Sequence, residues 1–142
     1  MPSAFYDTNI FIYAARPELD PRDEHKRPAA CELVEKGNYG LSGQVLAEFY
    51  HNTVRKGASR LSEEQAEWWL DELSSRPCAD VDAVLVREGV AFSRRYQLSY
   101  WDGAIIAAAH RLDAHELYTE DLNDGQIYGT VKVINPFKSS NH

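Results

Sequence analysis

The chain has 142 residues, 44% hydrophobic and 26% charged, which suits one domain around one core and argues against both disorder and membrane burial. Its formal charge of −7, from 22 acidic and 15 basic residues, argues against a module that grips nucleic acid by bulk positive charge. No apolar run approaches the roughly 18 residues of a membrane span. Met1 to Tyr6 moves straight into a strand-like segment with neither a basic region nor a cleavable apolar stretch. No secretory signal is read, and the cytoplasm is the expected location. Cys31 and Cys78 have no C-x-x-C partner and no histidines at zinc-ligand spacing, so both are expected to be buried free thiols.

Short apolar runs alternate with longer segments of helical period. Ala4 to Tyr6 reads as a strand, followed directly by a helix with Ile10, Phe11 and Ala14 on one face. Pro17 and Pro21 mark a loop. A helix is expected from about Glu24 to Lys36, with Pro28 in its first turn and Gly37 at its C-terminal cap. Tyr39 to Ser42 is a strand, and Gln44 to Lys56 a helix closed by Gly57. Ser62 caps the next helix, in which Ala66, Trp69, Leu70 and Leu73 share a face and Trp68 points away, toward a contact surface. Cys78 to Val81 is strand-like, and Asp82 caps a helix whose apolar residues lie on two sides, which predicts a well-buried helix. Ser99 opens the very apolar helix Tyr100 to Leu112, and two strands follow, Glu116 to Thr119 and Val131 to Ile134. This alternation predicts an α/β fold with a mostly parallel central sheet flanked by helices, and ligands beyond the carboxyl ends of its strands. One domain over 1–137 and a polar tail at 138–142 are expected.

Four acids stand out: Asp7, Glu48, Asp102 and Asp121. Three lie where a strand gives way to a turn or where a helix begins, places that converge in such folds. Each has a plain local explanation. Asp7 fits an N-cap, Asp102 completes the capping-box pattern Ser99-Tyr-Trp-Asp102, and Asp121 fits an Asx-turn. Glu48 is mid-helix, where no cap is needed, and an exposed glutamate is the ordinary outcome there. Gathered together, carboxylates cannot all stay ionised without a compensating cation, and hard oxygen ligands suit Mg²⁺ or Mn²⁺. Two such ions would bring −7 to −3.

The chain resembles the PIN domain family, and within it the VapC toxins of toxin–antitoxin pairs. The resemblance runs from Ser3 to Pro136 and rests on Asp7-Thr8-Asn9 after the first strand, Glu48 within Ala-Glu-Phe, Ser99-Tyr-Trp-Asp102, and Thr119-Glu-Asp121. It implies a three-layer α/β/α fold and a metal-dependent endoribonuclease acting on single-stranded RNA. Asp7, Glu48, Asp102 and Asp121 would hold one or two Mg²⁺ or Mn²⁺ ions, with polar support from Asn9 and Thr119. It further implies a homodimer silenced by an antitoxin that covers the site. The family often has another acid soon after its Thr-x-Asp, which makes Asp124 an alternate ligand or a support.

Basic residues near these acids, Arg55 and Lys56 foremost and also Arg16, Arg22 and Arg60, are candidates for phosphate contacts. Tyr13 and Tyr50 are candidate base platforms, and His51 a dispensable proton shuttle. Two rival functions remain at this level. One is a catalytically silent RNA-binding or scaffold domain. The other is an Asp-based phosphotransferase or phosphatase, which Asp7-Thr8-Asn9 disfavours because the usual second carboxylate is missing.

Overall fold

The computed structural model describes residues 2–55 and 59–138. Among them, strands and helices alternate as β1 (Ala4–Tyr6), α1 (Thr8–Ala15), α2 (Arg27–Lys36), β2 (Tyr39–Ser42), α3 (Gly43–Val54), α4 (Glu63–Ser74), β3 (Cys78–Ala79), α5 (Ala83–Tyr96), α6 (Tyr100–Arg111), β4 (Glu116–Tyr118), β5 (Ile127–Tyr128) and β6 (Val131–Ile134). The strands form one six-stranded sheet in the order β3-β2-β1-β4-β6-β5, parallel except for β5 against β6. Parallel neighbours joined by right-handed crossovers place α1 to α4 on one face and α5 and α6 on the other. The packing agrees: α1 lies on α2 and α3, α3 on α4, and α5 on α6.

Burial follows from that layering. Every residue of β1 and β2 is buried, as expected of central strands covered on both faces. In α6 the run Gly103 to Ala109 is wholly buried, and its small residues let the helix sit tightly between the sheet and α5. The closest approach is at two glycines. A Cβ on Gly103 would lie 2.4 Å from the carbonyl of Gly89, so neither helix tolerates a side chain there. That contact fixes the first turn of α6, which carries Asp102.

Several elements differ from the sequence reading. The first residues of the helix expected from Glu24 form a separate 3-10 turn, Glu24–Lys26, ahead of α2. Lys56 and Gly57 lie outside the described residues, so the expected closure of α3 does too. Strand β3 stops at Ala79 because its partner β2 ends opposite it at Ser42, leaving Asp80 and Val81 without a ladder. Strand β5 was not expected: its two residues are too few to show an alternation, and it turns back into β6 through Gly129 at φ 63°. The expectation of a well-buried α5 is overturned. Only Leu85 and Gly89 are buried there, while Val84, Val86 and Val90 are exposed, because among the described residues α5 packs chiefly on α6, which covers one of its sides. The two cysteines are free but only half-buried.

Candidate active site

Strands β1 and β4 are neighbours at the point where the strand order reverses, since β2 follows on one side and β6 on the other. A crevice opens at the carboxyl ends of strands at such a switch point. Asp7 leaves β1 there, tied by its backbone N–H to Tyr118 O on β4 at 3.0 Å. It is the N-cap of α1, with Oδ1 accepting from Thr8 N at 2.7 Å. Its other oxygen, Oδ2, accepts from the Thr119 hydroxyl at 2.8 Å. The buried Thr119 Oγ1 also accepts from Asp121 N at 3.1 Å, so one hydroxyl sets both the Asp7 carboxylate and the turn that carries Asp121. That turn is built by Thr119, and not by the expected Asx-turn of Asp121.

Glu48 reaches the same place from α3, where the Thr8 hydroxyl donates to its Oε1 at 2.8 Å. Asp102 enters from α6. Ser99 Oγ accepts from Asp102 N at 3.1 Å, but the reciprocal bond of a capping box is not among those formed by the described residues. The local explanation therefore accounts for the Asp102 backbone and leaves its carboxylate free. Asp7, Glu48, Asp102 and Asp121 line one cleft of about 160 Å³, together with Thr8 and Asn9.

The electrostatics reflect this crowding. Burial, reinforced by the charges of Asp121 and Glu48, pushes the Asp7 carboxyl up to about 6 despite the opposing bonds from Thr8 and Thr119. Asp121 is raised as well, by burial first and then by Glu120, Asp102 and Glu48. Among the described residues no three acids close to metal-coordination spacing, so the cleft is an open arrangement of carboxylates and not a finished cage. Lys26, whose charge lowers the Asp121 carboxyl, is already engaged. Lys26 Nζ bonds Glu120 at 2.7 Å and Asp23 at 3.1 Å. Hard oxygen donors with uncompensated charge fit Mg²⁺ or Mn²⁺.

Asn9 lines the cleft, but its amide donates to Glu120 Oε2 at 2.8 Å, so it braces the wall and not the acids directly. Glu120 also accepts from the Tyr13 hydroxyl, which makes the buried Tyr13 a wall residue and not a base platform. Asp124 points elsewhere: it accepts from Asn135 N at 2.8 Å and faces Lys138 at 3.8 Å, closing the loop before β5. Arg55 is exposed at the end of α3, and Lys56 lies outside the described residues. Arg16 is bound to Asn52 O at 2.6 Å and Arg22 to Asp20 at 3.1 Å, so both have protein partners. Tyr50 packs against the core. The sequence reading missed Thr8, Glu120 and Lys26. The first two stand inside the motifs Asp-Thr-Asn and Thr-Glu-Asp, a signal that was available, whereas nothing local marks Lys26, which lies 94 positions from its partner.

The chain belongs to the PIN domain family: the family's model, described as PIN domain, matches residues 4–126. Among solved structures, it is similar to a toxin–antitoxin complex from Klebsiella pneumoniae, at 22% identity and TM-score 0.66, covering 94% of this chain and 98% of that one. It is also similar to VapC20 of Mycobacterium tuberculosis, described as a sarcin-ricin loop cleaving toxin, at 18% identity and TM-score 0.63 over 84% and 92% of the two chains. A third is VapBC2 from Rickettsia felis bound to a promoter DNA fragment, at 21% identity and TM-score 0.57 over 92% and 96%. At these identities the likeness establishes the fold. No curated protein matches the sequence.

Proposed function

We propose that the protein is a Mg²⁺- or Mn²⁺-dependent endoribonuclease of single-stranded RNA and the toxin of a VapBC-type pair. The observation that carries this reading is the gathering of Asp7, Glu48, Asp102 and Asp121 into one cleft at the switch point of a PIN fold. A bound divalent ion would supply Lewis acidity at the scissile phosphate and activate the attacking water. Asp7, Glu48, Asp102 and Asp121 would be its ligands. Thr119 fixes the orientation of Asp7, Thr8 that of Glu48, and the α5–α6 glycine contact that of Asp102. Without the ion these carboxylates repel a phosphodiester. The reaction is therefore expected to stop with EDTA and to resume with Mg²⁺ or Mn²⁺, measured on a labelled single-stranded RNA. Binding without cutting in Mg²⁺ would favour the silent scaffold instead, and release of phosphate from small phosphoesters the phosphotransferase.

The single nuclease domain is taken as residues 1–137 and the tail as 138–142, with the protein working in the cytoplasm beside its antitoxin. No helix among the described residues is long and apolar enough to cross a membrane. A dimer or antitoxin interface is assigned to the surface around Trp68, which is 58% exposed and lines a hollow of about 320 Å³ with Pro17, Leu61 and Trp69. Trp68→Ala should reduce the mass in solution or weaken antitoxin binding, and a variant unchanged in both would remove Trp68 from the interface.

A further inference from the structure

Beside the acid cleft lies a larger, mostly apolar hollow of about 750 Å³, and Gln44, Glu48, Asn52 and Trp101 belong to the walls of both. Trp101 immediately precedes Asp102 in the first turn of α6, and it is 62% exposed. A tryptophan this open contributes little to the core. Its ring is nevertheless held, packed edge-on against Tyr100 at 5.0 Å on a helix start pinned by the Gly89–Gly103 contact. Gln44 and Asn52 stand on α3 across from it. The Asn52 amide N–H₂ donates to Glu48 O at 2.9 Å, and its second N–H and its side-chain oxygen have no hydrogen-bond partner among the described residues.

Size and chemistry separate the two spaces. The acid cleft, at about 160 Å³, falls below the range of roughly 300–1,000 Å³ that small-molecule sites occupy, and its four carboxylates suit cations and a phosphate bound to them better than a base. The adjoining hollow is within that range and has the composition of a base site, an aromatic face with a few amides. Because the two share walls, an occupant of the hollow lies directly against the acids. We infer that this hollow binds the nucleobase next to the scissile phosphate, stacked on Trp101 and read at its edge by Gln44 and Asn52. The assignment rests on the ribonuclease reading and adds to it the residues that choose where the strand is cut.

The test is equilibrium binding of a short single-stranded oligoribonucleotide that the protein cuts, with Ca²⁺ in place of Mg²⁺, followed by anisotropy and by tryptophan fluorescence. The expected result is quenching in the native protein, and binding weakened on the order of tenfold by Trp101→Ala and largely restored in Trp101→Phe. Scanning an abasic nucleotide through the oligomer should find one position beside the cut where the loss matches that of Trp101→Ala and adds nothing further in that variant. Native-like binding by Trp101→Ala, or abasic losses that add fully to those of the variant, would overturn the inference while cleavage by the native protein kept the nuclease reading intact. So would a Trp101→Ala protein whose only change is in oligomeric mass or antitoxin affinity, which would make the hollow a protein interface. A native protein that neither binds nor cuts RNA with Mg²⁺ would remove the nuclease reading itself and this inference with it.

Discussion

Asp7 shows how one side chain answers to both fold and chemistry. It caps α1, accepts the Thr119 hydroxyl and lines the cleft, and its carboxyl is held near 6 against an ordinary 3.8. A carboxyl raised in the fold favours its protonated form, so its stabilising contribution is full below about pH 4 and is lost as pH rises through about 6. In the metal-free protein at neutral pH the ionised group costs about 3 kcal/mol. Asn mimics the neutral acid, and the Thr119 hydroxyl can rotate to accept from its amide. Asp7→Asn should therefore abolish cleavage while leaving the metal-free protein about 2–3 kcal/mol more stable at pH 7 and nearly unchanged at pH 4, measured by urea unfolding. Full turnover in that variant would remove Asp7 from the chemistry, and lower stability at pH 7 would contradict the electrostatic account.

At the scale of elements, the site depends on two braces far from each other in sequence. The first is Glu120, which accepts from Asn9, Tyr13 and Lys26 and so joins α1, the 3-10 turn and the loop after β4. Lys26 reflects this: burial alone would lower its pKa, but bonds to Glu120, Asp23 and Tyr13 outweigh that and hold it above the usual lysine range. Glu120→Ala removes the acceptor of Asn9 and Tyr13 and leaves Lys26 only Asp23 and the Tyr13 oxygen, and should cost about 3 kcal/mol in unfolding free energy, read from the urea midpoint at constant slope. The second brace is Gly103 against Gly89. Gly103→Ala drives a methyl to within 2.4 Å of a carbonyl, so α6 must move, at about 1–3 kcal/mol, and cleavage should fall by more than stability alone explains because Asp102 moves with it. What was legible in the sequence follows the same division. Caps with their own side chains, at Asp7, Ser62, Asp82 and Ser99, were readable because the partner lies within three residues. The Lys26–Glu120 pair and the two-residue β5 were not, since one is a long-range contact and the other too short for any periodicity. The valines of α5 misled for a related reason: apolar residues on two sides predict burial only if something covers both sides.

Across the whole molecule, the acidic balance and the nuclease reading are reconciled by where the charge sits. Four carboxylates in one cleft contribute to the −7 of the chain, and among the described residues Lys26, whose charge reaches Asp121, is paired with Glu120, so the fold carries a repulsion that a divalent ion would relieve. The ion and the proton then compete for Asp7. With that carboxyl at about 6, one proton in competition weakens Mg²⁺ or Mn²⁺ binding about tenfold at pH 5 and hardly at all at pH 7.5. Isothermal titration at the two pH values should show that ratio, together with about one proton released per binding event below pH 6. Thermal unfolding supplies an independent reading, because a ligand that binds only the folded state at a hundred times its dissociation constant adds about 2.7 kcal/mol. The midpoint should rise with Mg²⁺ at pH 7.5, rise less at pH 5, and respond far less in Asp7→Asn. Equal shifts in the native protein and that variant would place the ion somewhere other than the switch-point cleft.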